Sequence, residues 1–217
     1  MSAFAEEHSL LRDAFVEIFR PASPKDFGSP ALRNRGLSDG NDGVQWNTWI
    51  ERSSAEPPIA WLGVNLEGKQ YRDWPIARFI QRELMEPRLV ALRADLRQPE
   101  EITVRWMRDA WVGGGSRIPS FKEQYIPPTP IALSNMSEQS WRQSLVEAQS
   151  CLANPKGGRA KQWITTQDKR RELWVSPHLA FQRTLPWPST AEDLRRAMQR
   201  AREHLQPLYD FVTERST

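Results

Sequence analysis

The sequence predicts an α+β fold, with four helices packed on a mixed or antiparallel sheet of about five to seven strands. Three observations lead there. Apolar residues recur at helical spacing at both ends of the chain, segments 44–52 and 59–67 alternate apolar with polar residues across a short link, and further helical stripes interrupt the strand candidates. At 217 residues, 39% hydrophobic and 26% charged, the chain is long enough for one sizeable core and reads as a single domain over 1–217.

Taken in order, Phe4, Leu11, Phe15 and Ile18 predict a first helix from Ser2 or Ala3 to Phe19, closed by Pro21. Segment 21–43 collects Pro, Gly, Ser, Asn and Asp and predicts a long surface connection. In 44–52, Val44, Trp46, Thr48 and Ile50 alternate with Gln45, Asn47, Trp49 and Glu51; in 59–67, Leu62, Val64 and Leu66 alternate with Trp61, Gly63, Asn65 and Glu67. These two strands form a hairpin with one apolar face and one face of amide, tryptophan and acid side chains. Asp73 and Pro75 open a second helix carrying Ile76, Phe79, Ile80 and Leu84, which ends before Pro87.

Segments 89–96 and 102–112 read as further strands, ended by Gly113, Gly114 and Gly115, and the proline-rich stretch to Pro130 as irregular or edge structure. Trp141, Leu145, Ala148 and Leu152 mark a third helix over 137–153, and 160–167 with 171–175 a second hairpin. Ser189-x-x-Glu192 is a capping box for the last helix, whose stripe is Leu194, Met198, Ala201, Leu205 and Leu208; Pro207 is expected to kink it or end it near Gln206.

Composition narrows the function classes. The single cysteine, Cys151, excludes an intramolecular disulfide framework and a cysteine-based zinc cluster. The N-terminal segment carries acids where a secretory signal carries a basic region, and no run approaches the roughly 18 apolar residues of a membrane span. A cytoplasmic protein with no membrane partner is expected. Net charge is +3, but 156–217 holds 12 Lys and Arg against 7 Asp and Glu, so the C-terminal part is the more basic one. A local excess of that sign suits a nucleic-acid partner.

The residues that could carry chemistry sit at the ends of the first hairpin. Asp42 leads into its first strand and Glu67-Gly68-Lys69 closes its second. Two carboxylates on adjoining strand ends can hold Mg²⁺ against a phosphate, and a lysine beside them can stabilise charge or orient the attacking water. In a strand, Glu67 and Lys69 share a face, with Asn65 and Trp61 alongside, and Glu17 could supply a further acid. This pattern resembles the PD-(D/E)xK nuclease superfamily, in which an acid leads into one strand and an acid-x-lysine triplet closes its hairpin partner. The resemblance covers about thirty residues, and Asp42 departs from the usual pattern in being followed by glycine and not preceded by proline. The resemblance implies that Asp42 and Glu67 are metal ligands and catalytic, with Lys69 assisting the water. The alternative for Glu67-Gly68 is a polar turn, with Lys69 a solvated side chain.

Ten tryptophans punctuate the chain. Trp46, Trp106 and Trp141 fall on core faces, whereas alternation turns Trp49 and Trp61 toward the polar face of the hairpin, where exposed aromatics can stack on bases. Lys169, Arg170 and Arg171 at the expected tip of the second hairpin, with Arg195 and Arg196 on the last helix, suit phosphate contact; a solvated helix face with Glu192–Arg196 pairing is the plainer reading. His8, His178 and His204 are scattered, and neither a glycine-framed serine elbow nor a dinucleotide-binding fingerprint is present. The function expected is nucleic-acid binding, DNA more than RNA, extending to Mg²⁺-dependent phosphodiester cleavage. The alternative is a non-catalytic adaptor or inhibitor that meets a protein partner through a Trp- and Arg-rich face.

Overall fold

A computed structural model describes residues 3–29, 34–41, 44–52, 57–66, 99–112, 116–117, 126–137, 139, 173–188 and 190–216; for 28–29, 34, 99, 105–112, 116–117, 126–131, 173–179 and 214–216 only the backbone is described. Helix α1 (Ala3–Phe19) turns Phe4, His8, Leu11, Ala14 and Phe15 inward. Arg20 follows it with φ 46°, and its N–H donates to the Val16 carbonyl at 2.9 Å, a left-handed cap that ends the helix.

Eight strands follow: β1 (Lys25–Ser29), β2 (Asn34–Ser38), β3 (Val44–Glu51), β4 (Ile59–Leu66), β5 (Ile102–Val112), β6 (Ser116–Arg117), β7 (Ile126–Ala132) and β8 (Leu173–Leu185). Every pairing is antiparallel. Six strands carry the sheet in the order β1-β2-β3-β4-β8-β5, and β6 and β7 both attach along β5. The antiparallel α+β expectation holds. Two helices rather than four are present among the described residues; the helices expected over 73–86 and 137–153 lie essentially outside them.

The segment read from sequence as a surface connection contains β1 and β2. Their Gly, Ser and Asn content hides them, because what makes them strands is tertiary: Leu37 enters the core, and Phe27 covers the other face. Gly36 is indispensable to that arrangement. A Cβ there would lie 2.3 Å from the Phe27 ring and 2.7 Å from the Thr48 carbonyl oxygen. Gly36→Ala is therefore expected to destabilise the fold by about 1–3 kcal/mol through overpacking, read as a lower urea midpoint at unchanged m-value.

Of the second hairpin expected from sequence, 160–167 lies outside the described residues, as does the strand expected over 89–96, while 171–175 continues into β8 from residue 173. β8 runs to Leu185 and is central: residues 179–185 pair with β4, and 173–183 with β5. Pro177 falls in the half for which only the β5 pairing is described, where a missing N–H is tolerated. β7 carries Pro127, Pro128 and Pro130 and pairs with β5 through a register shift between Val104 and Trp106, the edge structure anticipated for that stretch.

Helix α2 (Ala191–Ser216) is capped one residue later than the sequence suggested. The Thr190 hydroxyl accepts from the Asp193 N–H at 3.1 Å and donates to the Asp193 carboxylate at 2.6 Å, so the box is Thr190-x-x-Asp193. Pro207 neither ends nor breaks α2. It is exposed, while Leu205, Leu208 and Val212 on either side of it are buried, and that burial outweighs one lost hydrogen bond.

Both helices cover one face of the sheet, where Leu62, Val64, Phe181 and Val104 meet Phe15, Leu205 and Leu208 in a single core. α1 is further tied down by a bidentate Arg12–Asp26 pair at 3.0 and 2.9 Å, by Arg52 donating to Glu7 at 2.8 Å, and by Arg202 donating to the Ile18 carbonyl at 3.0 Å. Among these contacts His8 is 4% exposed. Burial, reinforced by Arg35 and Arg12 and opposed by Asp26, lowers its pKa below the usual value. The native state thus holds His8 neutral, while the unfolded chain protonates it near pH 6.5. Stability present above that pH is lost as pH falls through the depressed folded value. The thermal midpoint of wild type is expected to fall on acidification from about pH 7 to about pH 5 more steeply than that of His8→Gln, measured by circular dichroism.

Candidate nucleic-acid interface

The β3–β4 hairpin forms in the register that the alternation implies. Val44 pairs with Leu66, Trp46 with Val64 and Thr48 with Leu62, so the start of β3 and the end of β4 lie side by side at one end of the hairpin. Asp42 precedes β3 by two residues and Glu67 follows β4 directly; Asp42, Glu67 and Lys69 themselves lie outside the described residues. So do Lys169, Arg170 and Arg171.

Just before Asp42 the chain is held by a set of hydrogen bonds that the sequence reading did not single out. Asp39 is 8% exposed, and its carboxylate accepts from the Asn41 N–H at 3.1 Å, the Asn41 amide at 2.8 Å and the Trp46 N–H at 3.2 Å. Its own N–H donates to the Trp46 carbonyl at 3.0 Å, and the Gln45 amide donates to the Asn41 carbonyl at 2.6 Å. Gly40 supplies φ 80°, and a Cβ at that position would meet the Ser23 carbonyl oxygen at 2.3 Å. Burial pushes the Asp39 carboxyl above its usual range, although the N–H groups of Asn41 and Trp46 favour its anion. Tyr209 of α2 stacks on Trp46 at 5.0 Å, and burial and then the nearby Asp39 raise its hydroxyl. The Asp-Gly-Asn turn was the available sequence signal; its burial under Tyr209 was not.

Cross-strand rows on the sheet face opposite the helices bring the hairpin's polar side chains together. Phe27, Gly36, Trp49, Trp61 and Thr184 form one; Ser38, Asn47, Gly63, Gln182 and Thr103 form the next; Gln45, Asn65 and Ala180 lie beyond. The alternation assigned Trp49 to the correct face but not to the surface. Trp49 is 6% exposed, edge-on to Trp61 at 5.4 Å and to Phe27 at 6.5 Å, because β1 lies where a loop was expected. It is a packing residue and presents no ring for a base to stack on. Trp61 is half-buried, while Gln45, Asn47, Asn65 and Gln182 are buried. Asn47 Oδ1 and Gln182 Cγ converge over Gly63, at 2.8 and 3.1 Å from where a Cβ would stand.

Arg195, Arg196, Arg200 and Arg202 of α2 are described with their side chains. Glu17, Ile18, Glu192, Arg195, Arg196, Gln199 and Arg200 line an open groove of about 430 Å³ between α1 and α2. Arg195 pairs with Glu17 at 2.7 Å and with Glu192 at 3.1 Å; Arg196 pairs with Glu192 at 3.2 Å. Arg196 and Arg195 hold the Glu192 carboxyl below its ordinary range. Glu17, considered from sequence as a further acid for the hairpin site, is engaged instead by Arg195 on the helical layer. Among the described residues, no group of three or more His, Cys, Asp or Glu side chains could hold a metal ion, and no helix is long and apolar enough to cross a membrane. No protein-family model matches the chain, and no curated protein or solved structure matches it significantly.

Proposed function

We propose that the protein binds nucleic acid and cleaves it in a Mg²⁺-dependent reaction at the end of the β3–β4 hairpin. One observation carries the reading: the Val44–Leu66 register, which starts the Asp42 and Glu67 segments from neighbouring strand ends. In this reading Asp42 and Glu67 ligate Mg²⁺, which polarises the phosphoryl oxygens, and Lys69 orients the attacking water. The hydrogen bonds of Asp39 to Asn41 and Trp46 fix the chain on either side of residues 42 and 43, which supports a carboxylate held at a constant position. Arg195 and Arg196, together with Lys169, Arg170 and Arg171, contact the phosphate backbone, and half-buried Trp61 is the aromatic nearest this use.

Fluorescence anisotropy with single- and double-stranded DNA and RNA tests the binding half. Affinity is expected to fall steeply with salt, with a log–log slope of about −0.9 per duplex phosphate neutralised. Affinity that does not respond to salt, or no binding to any of these probes, contradicts the reading. Tight salt-insensitive association with a protein would instead establish the interaction-module alternative.

A further inference from the structure

Arg195 and Arg196 are the proposed phosphate contacts whose surroundings are described, and both already hold carboxylates. Arg195 Nε lies 2.7 Å from a Glu17 oxygen and its Nη1 3.1 Å from a Glu192 oxygen, while Arg196 Nε takes the other Glu192 oxygen at 3.2 Å. Three carboxylate oxygens thus occupy the guanidinium forks in the manner that phosphate oxygens would. Counting the groove's lining, three guanidiniums, Arg195, Arg196 and Arg200, face two carboxylates, Glu17 and Glu192, leaving +1 where the arginines alone would give +3.

The Glu17 contact is not what joins the helices. Arg202 donates to the Ile18 carbonyl at 3.0 Å and lies 5.3 Å from the centre of the Phe19 ring, and Leu11, Phe15, Leu205 and Leu208 are buried in the same core. The side chains of Glu17 and Glu192 are 61% and 57% exposed. Exposed pairs of this kind are weak, screened by salt and open to competition from a ligand of higher charge density.

We propose that Glu17 and Glu192 stand in for phosphate across the α1–α2 groove, so that a nucleic-acid backbone engages Arg195 and Arg196 by displacing them. The inference rests on the nucleic-acid reading and adds its regulation: the two acids set the threshold of affinity and salt at which a polyanion binds. Loss of either carboxylate exposes the arginines and tightens binding.

The test uses the full chain and a short fluorescent DNA duplex, with Glu17→Gln, Glu192→Gln, the double variant, and Glu6→Gln as a control of equal charge change. Glu6 lies on the same helix, eleven residues from Glu17 and about 16 Å along its axis. At low salt each groove variant should bind roughly threefold to tenfold more tightly than wild type, with the gain shrinking as salt rises. Arg195→Gln and Arg196→Gln, added to the double variant, should erase the gain. Binding by the double variant alone, with wild type silent, would support the lock as fully as a gain over a binding wild type. Wild type binding with no gain in either groove variant, or an equal gain from Glu6→Gln, overturns the lock and leaves the nucleic-acid reading standing. Absence of binding in wild type and in every variant overturns both.

Discussion

Replacing Phe181 by alanine is expected to destabilise the protein by about 3–5 kcal/mol, a large share of the about 5–15 kcal/mol that holds an ordinary domain folded. Phe181 is fully buried on β8, with Val64 of β4 on one side and Val104 of β5 on the other. Its ring belongs to the core shared with α1 and α2, so truncation removes apolar burial and leaves a void where strands and helices meet. Urea unfolding followed by far-UV circular dichroism reads the effect. A loss below about 1 kcal/mol would mean that β8 is peripheral, contrary to its position between β4 and β5.

The second large effect concerns chemistry. If the proposed function holds, Glu67→Ala and Lys69→Ala each lower the rate of Mg²⁺-dependent cleavage by about 10²-fold or more, since one removes a proposed metal ligand and the other the group proposed to orient water. Stability should change by no more than about 0.5 kcal/mol, as for substitutions outside a core. DNA affinity should persist, because the arginines that hold the backbone are untouched. Cleavage at the wild-type rate in both variants would remove the two residues from the site.

What the sequence discloses depends on whether a residue's environment is set locally. Residue-type periodicity found α1, β3, β4 and β5 close to their observed bounds and placed the start of α2, which runs ten residues past the stop expected near Gln206. β8 escaped notice past residue 175 because Pro177 follows closely and Arg183 breaks the apolar set of Leu179, Phe181 and Leu185. β1 and β2 are rich in Gly, Ser, Asn and Asp, and only pairing, of β2 with β3 and of β1 with β2, makes strands of them. Pro207 obeyed the apolar stripe rather than the general rule for proline, and Thr190 took the cap from its equally suited neighbour Ser189.

The candidate site divides in the same way. Hairpin register, and with it the adjacency of the strand ends at Val44 and Leu66, follows from alternation and a short link. Burial of Trp49 does not, because Phe27 reaches it from a strand with no sequence signal. Nor does the engagement of Arg195 by Glu17, which are 178 positions apart and meet only once α1 and α2 are packed on the sheet. Asp39 was legible as a turn former, but its role as a buried hydrogen-bond acceptor needs Trp46 and Tyr209 in place.

Incubating the full chain with single- and double-stranded DNA and RNA, with Mg²⁺ or with a chelator, asks the most direct question of the hairpin site. Fragments are expected from DNA in the Mg²⁺ reactions, none with the chelator, and none from Glu67→Gln protein purified in parallel. Intact nucleic acid in every reaction, or equal fragmentation by wild type and Glu67→Gln, would contradict the proposed cleavage.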